Sequence, residues 1–138
     1  MATYESVVGA ILDAFLSDFN TAHPGVPVEH DNGESVDTSS VDSWARIVIR
    51  EADTTQKTIG AVGSRNWQTN AVVIVQLFSR TGQGAGFVRA MASTVRDIFR
   101  GKTIGSATFR GVRTSYQNPG DIWFQQNLVA DFYSRDVK

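Results

Sequence analysis

Trp67-Gln68-Thr69-Asn70-Ala71-Val72-Val73-Ile74-Val75-Gln76-Leu77-Phe78 is the most strand-like stretch of this 138-residue chain. Its β-branched centre, Val72 to Val75, reads as buried on both faces, whereas Gln68, Asn70 and Gln76 mark one face as partly polar. Extended through Arg80, such a strand spans about 45 Å at ~3.3 Å per residue, long for a domain of this size. One end is therefore expected to project or bend. The stretch passes through Thr81-Gly82-Gln83-Gly84-Ala85-Gly86 into a helical pattern from Phe87 to Arg100, with Val88, Met91, Ala92, Val95 and Phe99 as its apolar stripe. Gly101 is a natural C-terminal cap.

Upstream, Tyr4, Val7, Val8, Ile11, Leu12, Phe15, Leu16 and Phe19 recur at helical steps and predict one apolar helix face. Thr3 is its expected N-cap and His23-Pro24-Gly25 its stop, with Asp13, Ser17 and Asn20 on the outer side. Val26-Pro27-Val28 begins a short extended segment suited to a sheet edge. Residues 30–43 read as a polar loop, Trp44 to Arg50 as a strand with Ala45, Ile47 and Ile49 on one face, and 52–64 as a loop or ragged hairpin end. Downstream, strands are expected near Ala107 to Tyr116 and Ile122 to Tyr133, joined across Gln117-Asn118-Pro119-Gly120-Asp121. The predicted fold is α+β, one domain over 1–138, with a mostly antiparallel sheet and two amphipathic helices packed on one face. Phe15, Phe19, Val73, Val75, Val95 and Phe99 are expected in one core.

Composition is that of an ordinary globular domain, 41% hydrophobic and 20% charged, without cysteine. Thiolate chemistry and disulfides are thereby excluded. The start lacks the basic and apolar regions of a signal peptide, and no apolar run approaches the ~20 residues that cross a bilayer, so a chain made in the cytoplasm is expected. The net charge of −1 hides a split. Before Arg46 stand eight acids and no Lys or Arg; from Arg46 onward stand all 13 basic residues and six acids. Oppositely charged surfaces favour head-to-tail association of copies. The alternative is that folding mixes the two segments and leaves no dipole.

The sequence offers little for catalysis, and the expectation is a non-enzyme without cofactor or metal. The glycine loop misses the dinucleotide fingerprint by one position, because Phe87 stands where the third glycine belongs, and it has no P-loop lysine. His23 and His30 fit no zinc spacing, and Asp31, Glu34, Asp37 and Asp42 lack the pattern of a calcium loop. These four acids form one candidate interface. The other is basic: Arg89, Arg96 and Arg100 fall on one flank of the second helix, with Arg80, Lys102, Arg110 and Arg113 nearby in sequence. Such a strip suits DNA phosphates or an acidic protein surface, and a solvated helix flank is the alternative.

The order of elements resembles the tail terminator proteins of long-tailed bacteriophages. The resemblance is carried by Val26-Pro27-Val28-Glu29-His30-Asp31-Asn32 after a helix and by the paired strands. The glycine turn from Thr81 to Gly86, the helix ending Ile98-Phe99-Arg100-Gly101 and the terminal hairpin with Trp123 complete it. It implies a subunit of a homohexameric ring in the virion, at the head-proximal end of the tail. Such a ring ends growth of the tail tube and provides the head-joining surface. The implied partners are further copies of itself, the tail tube protein and a neck or head-completion protein. DNA passes through without specific binding, and no membrane is involved. A neck or tube protein is the alternative within this class, and a nucleic-acid-binding adaptor using the arginine strip is the alternative outside it.

Overall fold

The computed structural model describes residues 4–30, 37, 39, 41–80, 82, 86–116 and 123–137. Among these, the elements are α1 (Tyr4–Ala22), β1 (Val28–His30), β2 (Ser43–Gln56), β3 (Asn66–Arg80), α2 (Gly86–Phe99), β4 (Thr103–Ile104), β5 (Ala107–Tyr116) and β6 (Trp123–Val137). The six strands form one sheet in the order β1-β2-β3-β6-β5-β4. Among the described residues only the edge pair β1–β2 is parallel; the other four pairings are antiparallel. The fold is thus α+β, with a mixed but mostly antiparallel sheet that curls into a half-barrel.

The central strand is β3, hydrogen-bonded along all its residues to β6 and along most of them to β2. Its side chains alternate as strand geometry requires. Ala71, Val73, Val75 and Leu77 are buried, whereas Val72 and Ile74 are half-buried. The expectation of a centre buried on both faces is corrected here: only the odd-numbered side chains join the closed core.

That core is one cluster drawn from both helices and the sheet. It contains all six residues expected from the sequence: Phe15, Phe19, Val73, Val75, Val95 and Phe99. Aromatic contacts run through it. Phe15 stacks on Phe19 at 5.2 Å and on Phe99 at 5.9 Å, Phe99 meets Phe109 at 4.9 Å, and Phe109 meets Phe132 at 5.0 Å. Ring pairs at these separations add to the apolar area that each ring removes from water.

Turn chemistry follows the sequence closely. α1 ends at Ala22 with the His23 amide still donating to Phe19 O, immediately before Pro24. Pro27 precedes the edge strand and gives its carbonyl to the Ala45 amide at 3.0 Å. Gly101 has φ +67°, the left-handed conformation that closes a helix most cheaply with glycine. The expected N-cap, Thr3, lies outside the described residues, as does the turn from Gln117 to Asp121.

Two boundaries differ from expectation. β2 runs on to Gln56, so what read as a loop from residue 52 is half of a long hairpin with β3. The pairing crosses a register shift between Glu51 and Asp53, and residues 50–64 are all exposed. Polar side chains hid this strand because a hairpin arm with both faces in water needs no apolar alternation. β6 likewise continues past Tyr133 to Val137, paired with β3 down to Asn66.

Candidate functional site

Among the described residues no three His, Asp or Glu side chains gather as metal ligands do. What the structure offers instead is surface, and the charge split is the first part of it. Asp31 and Glu34 lie outside the described residues. Asp37 is exposed, and its Oδ1 accepts from Ser39 Oγ at 2.6 Å and from the Ser39 amide at 3.1 Å. Those hydrogen bonds favour the ionised form and hold its carboxyl below the usual range.

Asp42 meets Arg80 of its own chain. The Arg80 guanidinium lies 3.3 Å from the carboxylate, Nε donates to Val41 O at 3.1 Å, and the Arg80 amide donates to Asp42 O at 3.0 Å. Glu29 and Arg46 pair in the same way at 2.8 Å, fixed by their register partnership across β1 and β2. At these two places the acidic segment is paired inside the subunit, although the Asp42 side chain stays 75% exposed.

The arginine strip is only partly a strip. Arg89 is exposed near the start of α2. Arg96 is half-buried and donates from Nη2 to Thr114 Oγ1 of β5 at 2.8 Å, which ties the helix to the sheet. Arg100 lies 3.6 Å from Asp97 within its own turn, and Lys102 is exposed just beyond. Arg110 and Arg113 belong to β5, over the Tyr133 ring at 4.9 Å and 3.1 Å from Asp131 respectively.

A second arginine array went unread in the sequence. Period two puts Trp44, Arg46 and Val48 of β2 on the same face as Ile74, Gln76, Phe78 and Arg80 of β3. On β6 that face continues through Trp123, Gln125, Asn127 and Val129. Trp44 and Phe78 stack at 4.1 Å, and Trp123 meets Trp44 edge-on at 6.3 Å. Arg46 lies over Trp44 at 5.2 Å and Arg80 over Trp123 at 5.1 Å, within cation–π range. The available signal was an aromatic followed two residues later by arginine, at Trp44/Arg46 and Phe78/Arg80. Its force appears only once the strands are in register.

Two further features lie at opposite ends of the β2–β3 pair. At the far end, the hairpin tip bears Ile59, fully exposed, and Val62, 84% exposed. The tip is held by its own bonds. The Lys57 amide donates to Asn66 O at 2.7 Å, Arg65 Nε to Gly60 O at 2.7 Å, and the Asn66 amide to Thr58 Oγ1 at 2.9 Å. Gly63, at φ +94°, supplies the left-handed residue of the turn.

At the near end, an open cavity of about 470 Å³ lies between the α1 terminus, the start of β2 and the start of α2. Pro24, Val26, Val41 and Phe87 give it apolar walls, and Asp42 and His23 are its titratable groups. His23 Nε2 is hydrogen-bonded to Thr94 Oγ1 at 2.9 Å, and burial holds its pKa below the ordinary 6.5. Phe87 remains 46% exposed on the rim.

No family model matches this chain, and no curated protein matches it. Among solved structures, the chain is similar to a protein whose name states no activity, with a TM-score of 0.70 over 99% of both chains and 16% identity. That likeness shows the α+β fold as a whole, at an identity that carries nothing about function.

Proposed function

We propose that this chain is a structural virion subunit of the tail terminator kind. In this reading its copies form a ring, a homohexamer, that caps the tail tube, ends its polymerisation and presents the surface to which the neck joins. It is not an enzyme and uses no cofactor. Its partners are its own copies, the tail tube protein and a neck or head-completion protein. It acts at the head-proximal end of the tail after synthesis in the host cytoplasm. In this reading both helices pack on the face of the sheet that carries Ala45, Val73 and Leu128, and the aromatic–arginine face is left for contacts between subunits or with neighbouring proteins.

The observation that carries this reading is the β2–β3 arm: a hydrogen-bonded hairpin, exposed from residue 50 to 64, that ends in bare Ile59 and Val62. Large apolar side chains on an ordered tip suit burial by another protein. The resemblance in element order supplies the kind of assembly. The adaptor reading draws less support, because Arg96, in the middle of the strip, is already tied to Thr114 within the subunit.

Mass in solution and negative-stain imaging of the purified protein test the proposal together. Closed rings of about six subunits are expected as the protein is concentrated. Open tubes would instead favour a tube protein. A monomer that binds DNA at submicromolar Kd near physiological salt, with a steep salt slope, would favour the adaptor.

A further inference from the structure

The hairpin tip and the cavity are an apolar projection and an apolar recess in one molecule. They lie at the two ends of β3, about 45 Å apart at ~3.3 Å per residue, so a chain cannot fill its own recess. We propose that the β2–β3 tip of one copy docks in the cavity beside Phe87 of the next copy, with Ile59 and Val62 as its anchors. This rests on the reading that the protein assembles with itself, and it names the contact.

Three features favour a second copy as the occupant. The first is heterology: a knob and a hole at different ends of the same subunit join copies head to tail. Repeated in one direction, a contact of that kind closes into a ring or continues as a filament. The second is charge. From residue 57 to 65 the tip carries Lys57 and Arg65 and no acid, while the cavity carries Asp42, whose side chain is 75% exposed even beside Arg80. The third is preorganisation. The tip is closed by the Lys57–Asn66, Arg65–Gly60 and Asn66–Thr58 bonds, so little ordering remains to be done on docking. The recess, about 470 Å³, has room for both side chains.

The chain has no cysteine, which makes thiol cross-linking a clean test. Oxidation of an equimolar mixture of Val62→Cys and Phe87→Cys chains is expected to give the mixed dimer, because a disulfide forms only when the two Cα atoms come within about 7 Å. The double variant Val62→Cys/Phe87→Cys should give a ladder of covalent oligomers. Val62→Cys mixed with Ser93→Cys, exposed on α2 outside the recess, should give no mixed dimer. Independently, Ile59→Ser with Val62→Ser should raise the concentration needed for assembly by roughly a hundredfold while leaving the melting curve unchanged. Rings that form normally with the serine pair, or rings in which the two introduced thiols stay unlinked, would overturn the docking and leave the assembly reading standing. A wild-type protein that stays a single copy at every concentration, with no cross-link, would overturn both.

Discussion

Phe15 and Phe99 show what single side chains do in this protein. Each is fully buried, they stack on one another from different helices, and Phe99 passes the contact on to Phe109 in the sheet. Phe15→Ala or Phe99→Ala should each cost about 3–5 kcal/mol of stability, measured by denaturant unfolding, because each leaves a cavity where three elements meet. A loss under about 1 kcal/mol at both would mean the rings do not form that core. His23 makes a different prediction. Its pKa is lowered by burial, so the unfolded chain takes up a proton more readily than the folded one as pH falls through 6.5. Its contribution to stability is therefore fully present above 6.5 and is lost as pH falls through the lower folded value. Melting temperatures from about pH 8 down to about pH 5 should fall more for the wild type than for His23→Gln, which keeps a donor for Thr94 without the titrating ring. Equal slopes would show that His23 does not titrate in this range.

At the scale of elements, α2 has two jobs that the sequence could not separate. Its apolar stripe enters the core, as expected, through Val88, Met91, Ala92, Val95 and Phe99. Its arginine flank looked uniform in sequence, yet Arg96 is a brace to Thr114 whereas Arg89 and Arg100 remain exposed. Reversal of all three would therefore mix a folding effect with an assembly effect. Arg89→Glu with Arg100→Glu is the cleaner test, since it leaves the brace in place. If the flank faces a neighbouring subunit, sedimentation should show weaker assembly with an unchanged far-ultraviolet spectrum. Normal assembly of this pair would take the flank out of the interface. The β2–β3 arm was the element hardest to read. Its polar outer half follows no alternation, and only pairing with β3 makes it a strand.

At the scale of the whole molecule, the charge split turns out to be partly internal. Glu29–Arg46 and Asp42–Arg80 join the two oppositely charged segments within one subunit, so the surface dipole is smaller than the sequence totals imply. Exposed ion pairs contribute about 0–1 kcal/mol each, and salt screens them within about 10 Å at ~0.1 M. Apolar contacts should then dominate the proposed ring. Raising salt from about 0.1 to about 1 M should weaken assembly no more than modestly, read as the fraction of rings by sedimentation. Complete dissociation over that range would return the charge split to the leading role.

The sequence by itself determined the order of the helices and longer strands, though not the two-residue β4, together with the apolar stripe of each helix, the expected core residues and the glycine and proline punctuation. These depend on local periodicity and on backbone φ preferences, which a linear reading contains. Tertiary structure decided which acid meets which base, which arginines share a face with Trp44 and Trp123, and that the tip and the recess lie at opposite ends of β3. It also decided the central adjacency of β3 and β6, two strands separated by a helix and two other strands. Those outcomes depend on strand register and on which elements become neighbours. Cross-strand hydrogen bonding and closure of the common core select them, and no spacing along the chain records the choice.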